Sequence, residues 1–461
     1  MKGKIMNVGV IGAGVSGISA AIILEKFSES QIKPSIFESE KSIGGHSSSF
    51  YIKGFTFDKG PHILFSKNQE VLNFLVTALK DNVVKNKRDS RVYIDNNYVL
   101  YPLENNLHSI NPKLASDIIM EILQLERGAN QKSAPNNLDE WFRFNFGNTL
   151  TELYFKPYNE KIWKIDFKEL SMLWSDRIPL PSTEDIIRGA IGDVKDGYVH
   201  QLYFYYPKIG GYSAIPDALI KYFSGGLQLN CLIDKISTED NKVRVTSKQS
   251  EIEFDKIIST MPLKSLVNIV DGVDTEIIEL CNQLIVNPMY ILSFGFKGEI
   301  GHSMSAGYYA DPKYLVNRVS FPKNFSETTC PSDCYSVQAE ITLKQGTNKD
   351  RFSNDFLIQD TLKMLKETSA IPETATPLFS KIDFFENAYV VYDVDYENKI
   401  NVIKKYFEKR NIYLHGRFGS HNYLNVDGCV IESKKLVEKI LNMTISLDDF
   451  FYGLDFSVVQ K

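Results

Sequence analysis

The chain has 461 residues, which is enough for two or three domains and a sizeable buried core. Hydrophobic residues make up 43% and charged residues 24%, values close to the average for globular domains that exclude a disordered or fibrous protein. A formal net charge of −5 without a long basic run predicts no nucleic-acid partner. The chain also lacks the roughly 18 uninterrupted apolar residues of a membrane span, so we expect a cytoplasmic protein.

The cysteines indicate neither a disulfide framework nor a metal centre. There are five of them, an odd number scattered over a long chain. Only Cys330 and Cys334 lie close together in the sequence, and no further Cys or His stands beside them at zinc-ligand spacing. We therefore expect reduced thiols and no metal.

A strand, a glycine-rich turn and a helix open the chain. The β-branched run 7–11 predicts a strand, residues 12–17 form the turn, and residues 18–27 have the character of a helix. A second apolar strand over residues 35–37 ends in Glu38, about 20 residues beyond the glycines. This spacing predicts the βαβ unit of a Rossmann half with a parallel sheet.

The three glycines of the turn have separate roles in a dinucleotide site. Gly12 permits the tight turn, Gly14 lets the backbone approach a pyrophosphate, and Gly17 lets the helix pack close to the strand. The pyrophosphate would lie at the helix N-terminus, and Glu38 would accept hydrogen bonds from ribose hydroxyls. A purely structural turn is the alternative interpretation.

Residues 111–192 have mainly helical periodicity, and β-rich segments follow. Predicted helices cover 112–127, 138–163 and 183–190. Predicted strands of an antiparallel sheet cover 202–206, 288–296, 317–321, 335–343 and 388–392. Three further strands at 227–236, 242–247 and 252–260, and a last strand and helix at 412–414 and 431–441, return to the nucleotide-binding unit.

The continuation beyond Glu38 resembles a known class of flavoproteins. Gly44, Gly45 and His46 form a second glycine-rich segment, and Phe-Thr-Phe-Asp-Lys-Gly-Pro-His follows at 55–62. This layout is similar to that of flavoproteins with two dinucleotide-binding domains, which include amine oxidases and protoporphyrinogen oxidase. The resemblance implies FAD, and an acid at position 38 disfavours the 2′-phosphate of NADP in this site.

Within that class the chain most resembles the UDP-galactopyranose mutase family, in order over nearly its full length. The similar segments are PHILFS at 61–66, YPLENN at 101–106, KPYNEKIW at 156–163, WSDRIP at 174–179 and RFGSHNY at 417–423. The resemblance implies that His62, Arg177 and Arg318 act in catalysis and that Arg417 contacts the flavin. It implies substrate binding by Tyr101, Asn105, Asn159, Trp163, Arg177, Tyr308, Arg318, Tyr389 and Tyr423.

These residue types suit a nucleotide-sugar diphosphate. Arginines offer forked donors to phosphate oxygens, and tyrosine hydroxyls donate without adding charge. The resemblance implies that reduced flavin attacks the anomeric carbon, the nucleoside diphosphate leaves, and the sugar recloses as the furanose. The net reaction is redox-neutral, with FAD active in its reduced form and NAD(P)H as a possible external reductant.

The implied fold class is α/β, with a discontinuous Rossmann-like FAD-binding domain, a helical insert and an antiparallel β-sheet substrate domain. The predicted boundaries are 1–90, 208–285 and 405–461 for the FAD domain, 91–200 for the insert, and 201–207 and 286–404 for the substrate domain.

Several alternatives stay open at this point. The chain has Leu103, Glu104, Gln201 and Phe325 where the family has an aromatic, an amide, an asparagine and a tyrosine. These departures leave the nucleobase open between uridine, thymidine, cytidine and guanosine, and a modified hexose is a further alternative. The sequence does not indicate the sugar or the oligomeric state. A flavin oxidase or desaturase for an amine or polycyclic substrate is the second reading, and a flavoprotein-like binding protein without turnover is the third.

Overall fold

The computed structural model of the protein describes residues 6–127, 133–193, 202–248 and 250–452. In these ranges the chain forms one parallel sheet, one larger mixed sheet and three small antiparallel sheets, with helices packed against them. The predicted α/β fold class is confirmed. No helix in these ranges is both long enough and apolar enough to cross a bilayer.

The parallel sheet forms the base of the nucleotide-binding unit. Val8 and Val10 of its central strand are fully buried, as expected for a strand covered on both faces. The first helix, Val15–Phe27, is buried along its first ten residues because it lies between this sheet and the last helix, Val426–Leu441. The strands, in spatial order, are Ile412–Leu414, Lys256–Ser259, Met6–Ile11, Ile32–Phe37 and Gly226–Gln228.

Two segments that were each predicted as one strand form two strands in different sheets, so these predictions were wrong. The segment 227–236 splits between Gly226–Gln228, at the edge of the parallel sheet, and the first strand of a three-stranded meander. The segment 252–260 splits in the same way, and the change of sheet occurs at Asp255, whose backbone N–H donates to Asn7 O at 2.9 Å. The residue pattern inside these two segments does not mark the point of transfer. The meander strands are Ile233–Glu239, Lys242–Ser247 and Glu251–Phe254.

The larger sheet has seven strands and faces the nucleotide-binding unit across the site. Four of its strands were predicted, although the one at 388–392 is the end of a fifteen-residue strand. The prediction that 202–206 joins this sheet was wrong, because Tyr203–Tyr206 pairs with Val84–Lys87 in a separate two-stranded antiparallel sheet. In spatial order the strands are Pro377–Val391, Ile285–Lys297, Cys334–Thr342, Arg318–Ser320, Ala306–Tyr309, Ser90–Ile94 and Asn97–Leu100. The remaining small sheet pairs Ser49–Ile52 with Phe55–Asp58.

The predicted helix over 138–163 is interrupted. It consists of Leu138–Leu150, a π-helical turn Thr151–Phe155, and Lys156–Trp163. Gly147 has φ +82°, and the Glu121 carboxylate fills the break by accepting the N–H groups of Asn148 and Thr149 at 2.7 and 2.8 Å. The other predicted helices, Pro112–Arg127 and Thr183–Ala190, have the expected bounds.

Further helices lie in parts of the chain for which the sequence analysis made no helix prediction. Most of them pack at the outside of the sheets, where only one face is apolar. They are Gln69–Leu79, Ala214–Leu219, Leu263–Val267, Thr275–Gln283, Asn354–Glu367, Tyr396–Glu408 and Gly416–Gly419. All five cysteines are buried free thiols.

Candidate active site

A cavity of about 600 Å³ lies between the carboxyl ends of the parallel strands and the larger sheet. Ile11 and Phe37 end two parallel strands at its wall, and Tyr308, Arg318 and Glu340 reach it from the larger sheet. Ligands of open α/β sheets bind in this position, beyond the carboxyl ends of the strands. The cavity is also within the usual size range of small-molecule sites.

The glycine turn has the close backbone approaches that its sequence predicts. Gly12 has φ +101°, and a Cβ atom there would lie 2.2 Å from Thr260 Oγ1. At Gly17 a Cβ atom would lie 2.0 Å from Gly12 O, so only glycine lets the helix start this close to the strand. The helix is capped by Gly14 without any side-chain hydrogen bond, which leaves its first N–H groups directed at the cavity.

Glu38 and the second glycine segment complete this end of the cavity. The buried Glu38 carboxylate accepts the N–H groups of Ala13 at 2.7 Å and Glu40 at 2.9 Å. Gly44 donates its N–H to Ala13 O at 2.8 Å and so holds the second segment against the first turn. Free helix N–H groups, an uncrowded Gly14 and an acid at the end of the second strand fit the pyrophosphate and ribose of FAD.

Arg318 forms a buried ion pair inside the cavity. Its Nε donates to Glu340 Oε2 at 2.9 Å, and one Nη donates to Glu340 Oε1. The hydroxyl of Tyr389 donates to the same carboxylate at 3.1 Å, and Glu340 has no solvent-exposed surface. The three side chains therefore form one rigid unit in which the arginine charge is compensated.

Tyr308 lies between two guanidinium groups. Arg88 donates to its hydroxyl at 3.2 Å, and Arg318 is close enough to act on it electrostatically. Burial alone raises the pKa of Tyr308, but the two arginine charges and the Arg88 hydrogen bond outweigh it and lower this pKa below the ordinary value of 10.0. The local potential is thus positive, as at a site for an anion.

A second group of cations surrounds Tyr423. The guanidinium carbons of Arg417 and Arg177 lie 4.0 and 4.6 Å from the centre of its ring. Arg177 also donates to Tyr423 O at 2.6 Å, and Arg417 donates to Leu424 O and Ala388 O at 2.9 and 3.0 Å. The Tyr389 ring stacks on Tyr423 with centroids 5.9 Å apart. Among the described residues, the partners of these two positive charges are backbone carbonyls and aromatic rings.

Two histidines at the cavity are held in the neutral form. His62 stacks on Tyr212 with centroids 5.0 Å apart, and His46 packs against Phe418 at 4.9 Å. Burial, together with nearby cations that include Arg417, lowers the pKa of His62 to about 3 and that of His46 to about 4. At neutral pH both imidazoles are therefore uncharged groups that can donate or accept a hydrogen bond.

The structure brings most of the predicted site residues to this one cavity. Its wall includes Gly12, Gly14, Glu38, Gly44, Gly45, His46, His62, Tyr101, Arg177, Tyr308, Arg318, Tyr389, Arg417 and Tyr423.

Four predicted site residues do not line the cavity. Gly17 supports the turn from behind. Asn159 donates to Phe155 O and accepts from Trp163 Nε1 at 2.9 Å, so these two side chains bond to each other rather than to the open space. Asn105 lies against the helix at Gly189.

Of the positions that depart from the mutase pattern, some line the cavity and others do not. Leu103 and Glu104 are buried outside the cavity wall, whereas Phe325 lines it. Gln201 lies outside the described residues.

Charged residues that the sequence analysis missed also line the cavity, namely Lys59, Arg88 and Glu340. Arg88 and Glu340 stand in strands or strand ends where no motif marks them, and only the pairing of distant strands brings them together. Lys59 lies within the flavoprotein-like segment 55–62, and this position is the signal in the sequence that could have identified it.

Comparisons with known proteins agree with this arrangement. The family described as flavin containing amine oxidoreductase matches residues 15–335, more than half of the chain. The protoporphyrinogen oxidase of Dictyostelium discoideum is 21% identical over 537 aligned positions, covering 95% of this chain and 99% of that protein. A probable UDP-galactopyranose mutase of Klebsiella pneumoniae is 25% identical over 231 positions, covering 48% of this chain and 55% of that protein.

Among solved structures, reduced UDP-galactopyranose mutase superposes with a TM-score of 0.86 at 21% identity, covering 97% of this chain and 96% of that one. The likeness shows a shared fold. The chain therefore belongs to the flavin containing amine oxidoreductase family and is an FAD flavoenzyme with the fold of UDP-galactopyranose mutase.

Proposed function

We propose that the protein is a flavin-dependent mutase that interconverts the pyranose and furanose forms of a nucleotide-diphosphate sugar. One observation carries the proposal: Tyr308, Arg318, Tyr389, Arg417 and Tyr423 come from distant segments and line one cavity with the dinucleotide turn. These are residue types that bind a diphosphate without a metal ion. The partial match to a probable UDP-galactopyranose mutase supports the same reading.

The charge of the cavity favours an anionic substrate. Five cationic side chains and two carboxylates line it, and both histidines there are neutral. A dinucleotide pyrophosphate and a nucleotide-sugar diphosphate carry negative charge that such a wall would attract, whereas a protonated amine would be repelled. The charged residues are Lys59, Arg88, Arg177, Arg318 and Arg417, with Glu38 and Glu340.

The protein groups have separate tasks in this proposal. Gly12, Gly14 and Glu38 would hold the FAD, which in its reduced form supplies a nucleophilic nitrogen for the anomeric carbon. Tyr308 and the cations beside it would stabilise the leaving diphosphate. His62 Nδ1 is buried without a partner among the described residues, so it can offer one neutral hydrogen bond inside the site.

An oxidase is the second candidate, and one observation favours it. The alignment with a protoporphyrinogen oxidase covers nearly the whole chain. The carboxylates of a tetrapyrrole would also find cations in this cavity. The two functions differ in the redox state they need, because an oxidase consumes an oxidant and a mutase of this kind does not.

The test is to reduce the FAD-loaded protein anaerobically with dithionite and incubate it with UDP-, dTDP-, CDP- and GDP-hexopyranoses. We expect a furanose product, separated by chromatography, from the reduced protein and none from an oxidised sample of the same preparation. Oxygen-dependent turnover of an amine or a porphyrinogen, without furanose product under reducing conditions, would contradict the mutase and favour the oxidase.

A further inference from the structure

Arg88 lines the cavity, and no carboxylate among the described residues compensates its charge. Its Nε donates to Ser90 Oγ at 3.1 Å, and one Nη donates to Tyr308 Oη at 3.2 Å. Both partners are neutral hydroxyls, and no carboxylate in the described part of the chain pairs with this guanidinium. A guanidinium has five N–H donors, so donors remain for a ligand.

Arg318, on the other side of Tyr308, is different. Glu340 accepts two of its N–H groups and has no exposed surface, so the pair contributes no net charge to the cavity. An anion that approaches Arg318 also meets this carboxylate. The side chain that adds uncompensated positive charge beside the Tyr308 hydroxyl is therefore Arg88.

The surroundings of Arg88 strengthen its attraction for an anion. The rings of Tyr101 and Phe65 lie 5.6 and 5.8 Å from its guanidinium carbon and limit its access to water. Coulombic attraction is larger in such a partly desolvated setting than in bulk water. The hydrogen bonds to Ser90 and Tyr308 also fix the plane of the guanidinium, which favours two-point binding of phosphate oxygens.

We propose that Arg88, with the Tyr308 hydroxyl beside it, anchors a phosphoryl group of the substrate, and that Arg318 with Glu340 is a positioning pair. The assignment rests on the proposed function, since it names the residue that would hold the diphosphate of a nucleotide sugar. It makes Arg88 a binding residue and gives Arg318 the task of holding Tyr389 and Glu340 in place.

The experiment measures nucleoside-diphosphate binding to the FAD-loaded protein by calorimetry. UDP, dTDP, CDP and GDP are titrated into the wild type, and the tightest ligand is then titrated into Arg88→Gln, Arg88→Lys and Arg91→Gln. Arg91→Gln is the matched control, because it removes the same charge three residues away. Arg91 pairs with Asp89 and does not line the cavity. Flavin absorbance per protein reports whether each variant keeps its cofactor site.

We expect Arg88→Gln to weaken diphosphate binding by about tenfold or more, because a charge-assisted hydrogen bond is lost. Arg88→Lys keeps the charge but loses the two-point donor geometry of the guanidinium. It should weaken diphosphate binding by about threefold or more, which is less than the loss in Arg88→Gln. Arg91→Gln should stay within about twofold of the wild type, because the Arg91–Asp89 pair lies outside the cavity wall.

Unchanged binding by Arg88→Gln, with flavin retained, would overturn the assignment of Arg88 while leaving a mutase activity standing. If Arg88→Gln loses its flavin, Arg88→Lys decides, and wild-type affinity in that variant overturns the assignment as well. A wild type that binds none of the four diphosphates would overturn both this inference and the proposed function.

Discussion

Single residues show how far side-chain identity and side-chain role can differ. The sequence marks Arg318 as a diphosphate ligand, but its charge is already compensated by Glu340, a carboxylate that no motif indicates. No sequence motif marks Arg88, yet it lines the cavity and has no carboxylate partner among the described residues. The role of an arginine depends on the charges around it, and a neighbour 22 residues away in the chain supplies the charge here.

Glu104 is a second residue whose role depends on its surroundings. It is 3% exposed and no cation pairs with it in the part of the chain that the structure describes. Burial raises the pKa of its carboxyl from 4.5 to about 7. The folded protein therefore keeps a proton on Glu104 over a pH range in which the unfolded chain has released it, and folding loses stability as the pH rises through that range.

We predict that Glu104→Gln removes this pH dependence. Between about pH 4.5 and pH 7 the wild type should lose on the order of 3 kcal/mol of unfolding free energy relative to the variant. Urea unfolding at about pH 5 and about pH 8 measures the difference. Glu279→Gln, which changes an exposed carboxyl, is the control. An equal pH response of both variants would show that a charged Glu104 does not destabilise the folded protein.

At the scale of elements, local patterns located most segments but not their ends or partners. The helix at 112–127 and the strand at 242–247 have the predicted bounds, since their periodicity continues to the last residue. The helix predicted over 138–163 breaks because Glu121, on another helix, accepts the N–H groups that the break leaves free. Such a partner is invisible to a periodicity argument.

The first turn and helix provide a test at this scale. We predict that Gly17→Ala displaces the first helix, because the new Cβ would lie 2.0 Å from Gly12 O, a backbone atom. The expected results are loss of most bound flavin and a destabilisation of about 1–3 kcal/mol. Flavin absorbance per protein and urea unfolding measure these effects.

Gly428→Ala is the matched control. Gly428 is also the third residue of its helix, but a Cβ there meets the end of the Leu424 side chain at 3.2 Å, which can move. This variant should keep its flavin. Full flavin content in Gly17→Ala as well would show that close packing of helix and strand is not required for the cofactor.

For the molecule as a whole, the cavity joins segments that are far apart in the sequence. Its wall runs from Ile11 in the first strand to Cys429 in the last helix, and includes strands of both main sheets. A ligand that fills the cavity would contact residues of both main sheets. Cofactor binding should therefore stabilise the entire chain rather than one loop.

We predict that FAD raises the thermal unfolding midpoint of cofactor-stripped protein. At a free FAD concentration about a hundredfold above the dissociation constant, the free energy of unfolding should increase by about 2.7 kcal/mol. Riboflavin lacks the pyrophosphate and adenosine that the glycine turn and Glu38 are placed to bind, so it should give a much smaller gain. Equal effects of the two ligands would contradict the assignment of the turn to the pyrophosphate.

The sequence alone determined the α/β class, the dinucleotide turn and the family resemblance, because each is read from short segments whose own residues are near one another in the chain. Gly12, Gly14 and Glu38 act through backbone geometry and a fixed spacing, and these are local properties. Only the tertiary structure decided which sheet each strand joins and which charges meet at the cavity. Pairing of Arg318 with Glu340, and of Arg88 with Tyr308, results from contacts between distant segments, and no local pattern encodes them.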